Sequence, residues 1–162
     1  MAGAAAGTGG TRLQGAGPLL LVGCGKMGGA LLAGWLAEGV APGDVVVVEP
    51  ALDAGRASVP KGVTAVAEAA AVPGDFRPAV VVLAVKPQMM AEVVPAYARF
   101  TSPETVFMSI AAGTPVRFFA ERLGENAAIV RVMPNTPAAV GRGMSVLYAN
   151  PAVSPRQRAL CS

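Results

Sequence analysis

Two uninterrupted apolar runs, Val45-Val46-Val47-Val48 and Ala79-Val80-Val81-Val82-Leu83-Ala84-Val85, restrict this chain more than any other feature. Neither alternates with polar residues, so a strand built from either must be covered on both faces. Both fall far short of the ~20 residues that span a bilayer, so no membrane crossing is expected from them. Around them, short β-branched runs alternate with Ala-rich segments of helical length, the pattern of βαβ units and a parallel sheet. It predicts strands at 19–23, 44–49, 63–66, 79–85, 105–110, 128–132 and 144–149. Helices are expected at 27–38, 88–100 and 115–123, with a short one near 51–57. Pro95 should kink or shorten the second of these. Thr114-Pro115 offers the third a cap and a first-turn proline.

With 162 residues the chain can hold one domain with a substantial core, and only 5% of them are aromatic, so that core must be built from Val, Leu, Ala and Ile. Residues 1–17 are largely Gly and Ala with a single charge, Arg12, and are expected to form a disordered tail. Residues 18–150 then make one α/β domain, and 151–162 begin a helix, with Ser154 as its cap and Pro155 in its first turn, that is too short to stand alone. Lys and Arg exceed Asp and Glu by only 13 to 10, without clustering, so no nucleic-acid-binding stripe is present. The chain has no His, and Cys24 and Cys161 lie far apart, which argues against a metal site and against His-based acid–base chemistry.

The first predicted strand runs directly into Gly23-Cys24-Gly25-Lys26-Met27-Gly28, a G-x-G-x-x-G turn opening the first helix. Such a turn suits a dinucleotide. Gly23 permits the sharp turn, Gly25 lets the backbone approach a pyrophosphate, and Gly28 lets helix and strand pack. The helix start adds unpaired N–H groups and partial positive charge. Glu49 ends the next strand about 20 residues on, where dinucleotide folds grip the adenosine ribose. Two other readings are open at this point. Leu21-Val22-Gly23-Cys24 has the form of a lipoprotein cleavage site, although the apolar run before it has only about five residues where a signal peptide needs ~7–15. A glycine corner without a ligand is the third.

Further segments fall just beyond predicted strands. Val85-Lys86-Pro87-Gln88 follows the most apolar strand, and Lys86 is either a phosphate or ribose contact or a solvated loop lysine. Ser109-Ile110-Ala111-Ala112-Gly113 leaves room for a flat ring, or packs strand tightly on helix. Arg131-Val132-Met133-Pro134-Asn135-Thr136-Pro137 is a proline-bracketed loop that presents Asn135 to a ligand, or forms an Asx turn. Trp35 and the pair Met89-Met90 are expected to be packing residues.

Together with "GCGKMGGALLAGW", the segments "LAVKPQ", "SIAAG" and "RVMPNTPAAVGRG" occur in the order and spacing of the pyrroline-5-carboxylate reductases, and residues 18 to 160 resemble the N-terminal portion of that family. The resemblance implies a Rossmann-type doubly wound, mostly parallel sheet that binds NADPH or NADH. The implied activity is reduction of 1-pyrroline-5-carboxylate to proline in the cytoplasm. The cofactor contacts it implies are Gly23, Cys24, Gly25, Lys26, Met27, Gly28, Glu49, Ala84, Val85, Lys86, Pro87, Gln88, Ile110, Ala111, Ala112, Gly113, Met133, Pro134 and Asn135. No catalytic residue and no metal ligand carries over. The family's helical C-terminal domain, which forms homodimers or higher oligomers and supplies the substrate-binding segment, has no counterpart in these 162 residues. Its absence suggests a chain that binds nucleotide with little reductase activity of its own and exposes apolar surface beyond residue 150. A β-hydroxyacid dehydrogenase and a non-catalytic nucleotide-binding module are the alternatives. Two departures from the family pattern stand out. Glu49 replaces the Ser, Asn or Arg common in NADPH users, which predicts that NADH is accepted at least as well as NADPH. Ala67-Glu68 stands where some relatives place an Asn toward the adenosine.

Overall fold

The computed structural model describes residues 17–52, 59–134 and 145–161. The expected tail (1–17, except Gly17), most of the short helix near 51–57, and Asn135 lie outside these residues. All seven expected strands form: β1 (Leu19–Val22), β2 (Val45–Val48), β3 (Thr64–Val66), β4 (Val80–Leu83), β5 (Val106–Ser109), β6 (Ala128–Pro134) and β7 (Ser145–Ala149). They make one sheet in the order β3-β2-β1-β4-β5-β6-β7. Every pairing is parallel except β6 with β7, which is antiparallel. β1 pairs on both sides, Leu20 lying between Val46 and Val81. The chain therefore winds outward in two directions from β1 and β4, and the crevice between their C-terminal ends is the switch point where ligands of such sheets bind.

The continuous Val and Leu runs are buried because each face has its own helical layer. On one face, Leu19, Leu21, Val45, Val47, Val80 and Val82 pack with Leu32 and Trp35 of helix α1 (Lys26–Ala37). On the other, Leu20, Val46, Val81, Phe107 and Ile129 pack with Met90, Tyr97 and Phe119. Met90 belongs to α2 (Met90–Val93), which passes at Val94 into a 3-10 helix running to Phe100. Pro95 lies in the first turn of that tighter segment, so the proline shortens the α-helix as expected, removing a donor the α-helical ladder would need. Phe119 belongs to α3 (Val116–Leu123). Pro115 is the residue capping α3, with no side-chain hydrogen bond, so the cap expected from Thr114 is not made; Thr114 is instead buried.

The last helix, α4 (Pro155–Leu160), starts on a complete capping box: Ser154 Oγ accepts from the Gln157 amide and Gln157 Oε1 accepts from the Ser154 amide. Gln157 also donates through Nε2 to the Pro103 carbonyl at 3.1 Å, and Leu160 and Cys161 pack on the cluster beneath β6 and β7. The helix that local sequence could only nucleate is thus held by tertiary contacts.

Asn150 ties β7 to the start of β6. Its Oδ1 accepts from the Ile129 amide at 3.1 Å and its Nδ2 donates to the Ala127 carbonyl at 2.9 Å, while its own amide bonds the Ile129 carbonyl. Asn150→Ala strands a buried strand donor and is expected to cost about 1–2 kcal/mol in chemical denaturation. An unchanged unfolding midpoint would contradict that.

Candidate functional site

The C-terminal end of β1 turns into α1 through Gly23, whose φ is +91°, in the left-handed region that glycine tolerates. A methyl group there would lie 3.0 Å from the Ala84 carbonyl oxygen. Gly28, buried in the first turn of α1, is tighter still: a Cβ would collide with the Gly23 carbonyl oxygen. Gly25 is the opposite case. It is exposed, caps α1 without a side-chain bond, and has open space where a Cβ would stand. Two of the three glycines thus serve close packing, and the third leaves a backbone surface uncovered. The first-turn amides of α1, from Lys26 to Gly28, have no intrahelical acceptors and no acidic side chain nearby in sequence, so the turn can receive a phosphate.

β2 brings Glu49 to the same crevice. Its Oε1 accepts from the Cys24 amide at 3.1 Å and its Oε2 accepts from the Ala51 amide at 3.2 Å, so the carboxylate bridges the glycine turn and the turn after β2. Burial first, and the Glu49 carboxylate second, raise the Cys24 thiol above its ordinary range; at neutral pH it is a thiol and not a nucleophile. Cys161 is pushed up to about 11 by burial and is inert in the same way.

A cavity of about 760 Å³ opens beside the turn. Its walls bring together Gly23, Gly25, Glu49, Ala84, Val85 and Lys86 from three strand ends. Ala67 to Ala70, beyond β3, and Tyr97 complete it on the far side. Ala67, Ala69 and Ala70 give a small apolar wall beside the Glu68 carboxylate. Tyr97 is buried at 2% exposure, and burial, partly offset by Arg99, pushes its phenol up to about 12, so it stays a neutral donor.

Cys24, Lys26, Met27 and Gly28 belong to the same turn without lining the cavity, and Pro87 and Gln88 are exposed in the 3-10 turn after Lys86. Ile110, Ala111, Ala112 and Gly113 follow β5, the next strand along, where the buried Ser109 hydroxyl accepts from the Ala111 amide at 3.3 Å and fixes the loop's departure. Met133, 41% exposed, and Pro134 end β6, one strand further. The three groups thus follow one another along the same edge of the sheet.

Some residues differ from their sequence assignment. Met90 and Trp35 are buried as expected, whereas Met89 is 42% exposed and lines the cavity, because the 3-10 turn after Pro87 rotates it outward. Arg131 opens the proline-bracketed motif without a role that the sequence assigns to it. It pairs in register with Ser109 on β5, and its Nε is buried without a partner among the described residues. Only its position before the Met133-Pro134 motif could have drawn attention to it. Ala67 and Glu68 line the cavity, the position that the resemblance turns toward the adenosine; Tyr97 lines it too, and nothing local in the sequence marks it as doing so.

A doubly wound, mostly parallel sheet with a glycine turn opening at its switch point defines a Rossmann-type nucleotide-binding domain. The chain belongs to the family described as NADP oxidoreductase, coenzyme F420-dependent, whose sequence profile matches residues 19–113. Among curated proteins it is similar to the pyrroline-5-carboxylate reductase of Pseudomonas aeruginosa, 38% identical over 147 residues that cover 86% of this chain and 50% of that one. The Escherichia coli pyrroline-5-carboxylate reductase is 35% identical over 139 residues, covering 85% of this chain and 51% of the relative. The chain therefore spans about half the length of the curated relatives it matches. Among solved structures, the pyrroline-5-carboxylate reductase from Coxiella burnetii superposes with a TM-score of 0.79 at 30% identity, over 90% of this chain and 54% of that one. The Plasmodium falciparum pyrroline carboxylate reductase, solved with NADP bound, has the same fold, with a TM-score of 0.71 at 24% identity over 87% of this chain and 51% of its own. No described helix is long and apolar enough to cross a membrane.

Proposed function

We propose that this chain forms the cofactor-holding part of an NAD(P)H-dependent pyrroline-5-carboxylate reductase. The carrying observation is that β1, β4, β5 and β6, whose C-terminal ends adjoin the resembling segments, are parallel neighbours, so those ends share a single edge of the sheet. When bound, NAD(P)H supplies a hydride to the imine carbon of 1-pyrroline-5-carboxylate, and with a proton on the ring nitrogen the product is proline. The residues of this chain bind and orient. The open backbone at Gly25 and the α1 amides take the diphosphate, and Lys86 neutralises part of its charge. The alanine-lined wall receives the adenine. Ile110 to Gly113 and Met133-Pro134 would flank the nicotinamide and orient it toward the imine. No His is required, because the imine nitrogen can be protonated before hydride arrives.

The two cysteines are unpaired, which fits a reducing compartment, and we assign the protein to the cytoplasm. Assembly into homodimers or larger oligomers is part of the same proposal. The test is on the purified chain, which is expected to bind NAD(P)H saturably while turning over 1-pyrroline-5-carboxylate little by itself. A folded chain that binds neither nucleotide, or one that oxidises β-hydroxy acids, would overturn the assignment.

A further inference from the structure

The cavity beside the glycine turn carries an unbalanced charge. Glu49, Glu68 and Glu92 line it, against Lys86 alone among the described residues. Glu49 stands at the end of β2, where the acidic residue of a dinucleotide fold meets the adenosine ribose. Sequence alone shows a carboxylate at that position; the structure shows that it cannot readily leave. Each of its oxygens already accepts a backbone N–H, one from Cys24 in the glycine turn and one from Ala51 in the turn after β2. Rotating it away to admit another anion would leave two amide donors without partners. Glu68, just beyond β3, brings a second carboxylate to the same cavity, where some relatives have a neutral amide.

We infer that the fixed Glu49 carboxylate, reinforced by Glu68, makes this site selective for NADH over NADPH. This rests on the dinucleotide reading of the site and adds its specificity. A ribose 2′-hydroxyl can donate to a carboxylate, whereas a 2′-phosphate, with a charge of about −1.5 to −2 like other phosphate monoesters, is repelled by one. The inference runs counter to what the family's description alone suggests, since that description names NADP.

The experiment is a pair of titrations of the purified protein with NADH and NADPH, followed by nicotinamide fluorescence or calorimetry at low and high salt. NADH is expected to bind about tenfold or more tightly, and the ratio should shrink as salt rises, because repulsion between partly exposed charges is screened beyond ~8 Å at physiological ionic strength. Glu49→Gln should narrow the ratio about fivefold or more, chiefly by tightening NADPH. Glu68→Gln, which lies outside the Cys24 and Ala51 hydrogen bonds, should narrow it by a smaller factor of about two while leaving the fold intact. If Glu49→Gln fails to fold by circular dichroism, the Glu68 variant decides. NADPH binding equal to or tighter than NADH in the unmodified protein would overturn the selectivity, as would a ratio untouched by Glu68→Gln. Failure of both nucleotides to bind would instead defeat the dinucleotide reading itself, so the two failures are distinguishable.

Discussion

Gly28→Ala is expected to destabilise the domain by about 3 kcal/mol, the upper end of overpacking costs, and to abolish NAD(P)H binding with it. The added methyl would fall on the Gly23 carbonyl oxygen, a backbone atom that cannot turn aside as a side-chain tip can. Relief would require α1 to move away from the end of β1, pulling Leu32 and Trp35 out of their contacts with the Val45–Val48 and Val80–Leu83 strands. Gly34→Ala, later in the same helix with open space at its Cβ, is the control and should leave stability unchanged or slightly raised. Thermal or chemical denaturation of the two variants settles the comparison. A Gly28→Ala protein as stable as its parent would mean that helix and strand are not in the contact described.

Gly25→Val should give the converse result. Gly25 has a φ of −77°, which other residues adopt, and a Cβ there meets nothing within 4 Å, so the fold should form at the modest cost of replacing a capping glycine by valine. Binding should not survive so well. The side chain would stand over the amides at the start of α1, and losing hydrogen bonds to a charged diphosphate, at about 1.5–3 kcal/mol each, weakens affinity by about tenfold to a hundredfold. The expected outcome is a melting temperature only slightly lowered, with NADH affinity reduced to that extent. Retained affinity would show that the diphosphate does not rest on this turn. The two glycines, three residues apart, thus separate a folding role from a binding role.

The same contrast marks how far reasoning from residues alone could reach. The strands were readable because a run such as Val45–Val48 is buried on both faces in any arrangement of a parallel sheet, so its composition carries the answer. The glycine turn was readable for a similar reason. A positive φ at Gly23 and a crowded Gly28 are demands of one short stretch of backbone, and glycine meets them locally. Met89 was misjudged because a methionine next to a buried methionine looks like core, and only the 3-10 turn after Pro87 turns it toward the cavity. The cap of α3 differs because the helix begins at Val116, which puts Pro115 and not Thr114 in the capping position.

By itself the amino-acid sequence determined the alternation of strands and helices, the two-sided core and the position of the glycine turn, since these depend on periodicity, side-chain volume and backbone freedom within a few residues of one another. Tertiary structure alone decided the strand order, the bridging of Cys24 and Ala51 by Glu49, the convergence of Glu68 and Tyr97 on one cavity, and the anchoring of α4 on Pro103. Each of those joins residues far apart along the chain, and the free energy that selects them comes from burial and hydrogen bonding completed only when the separate units meet.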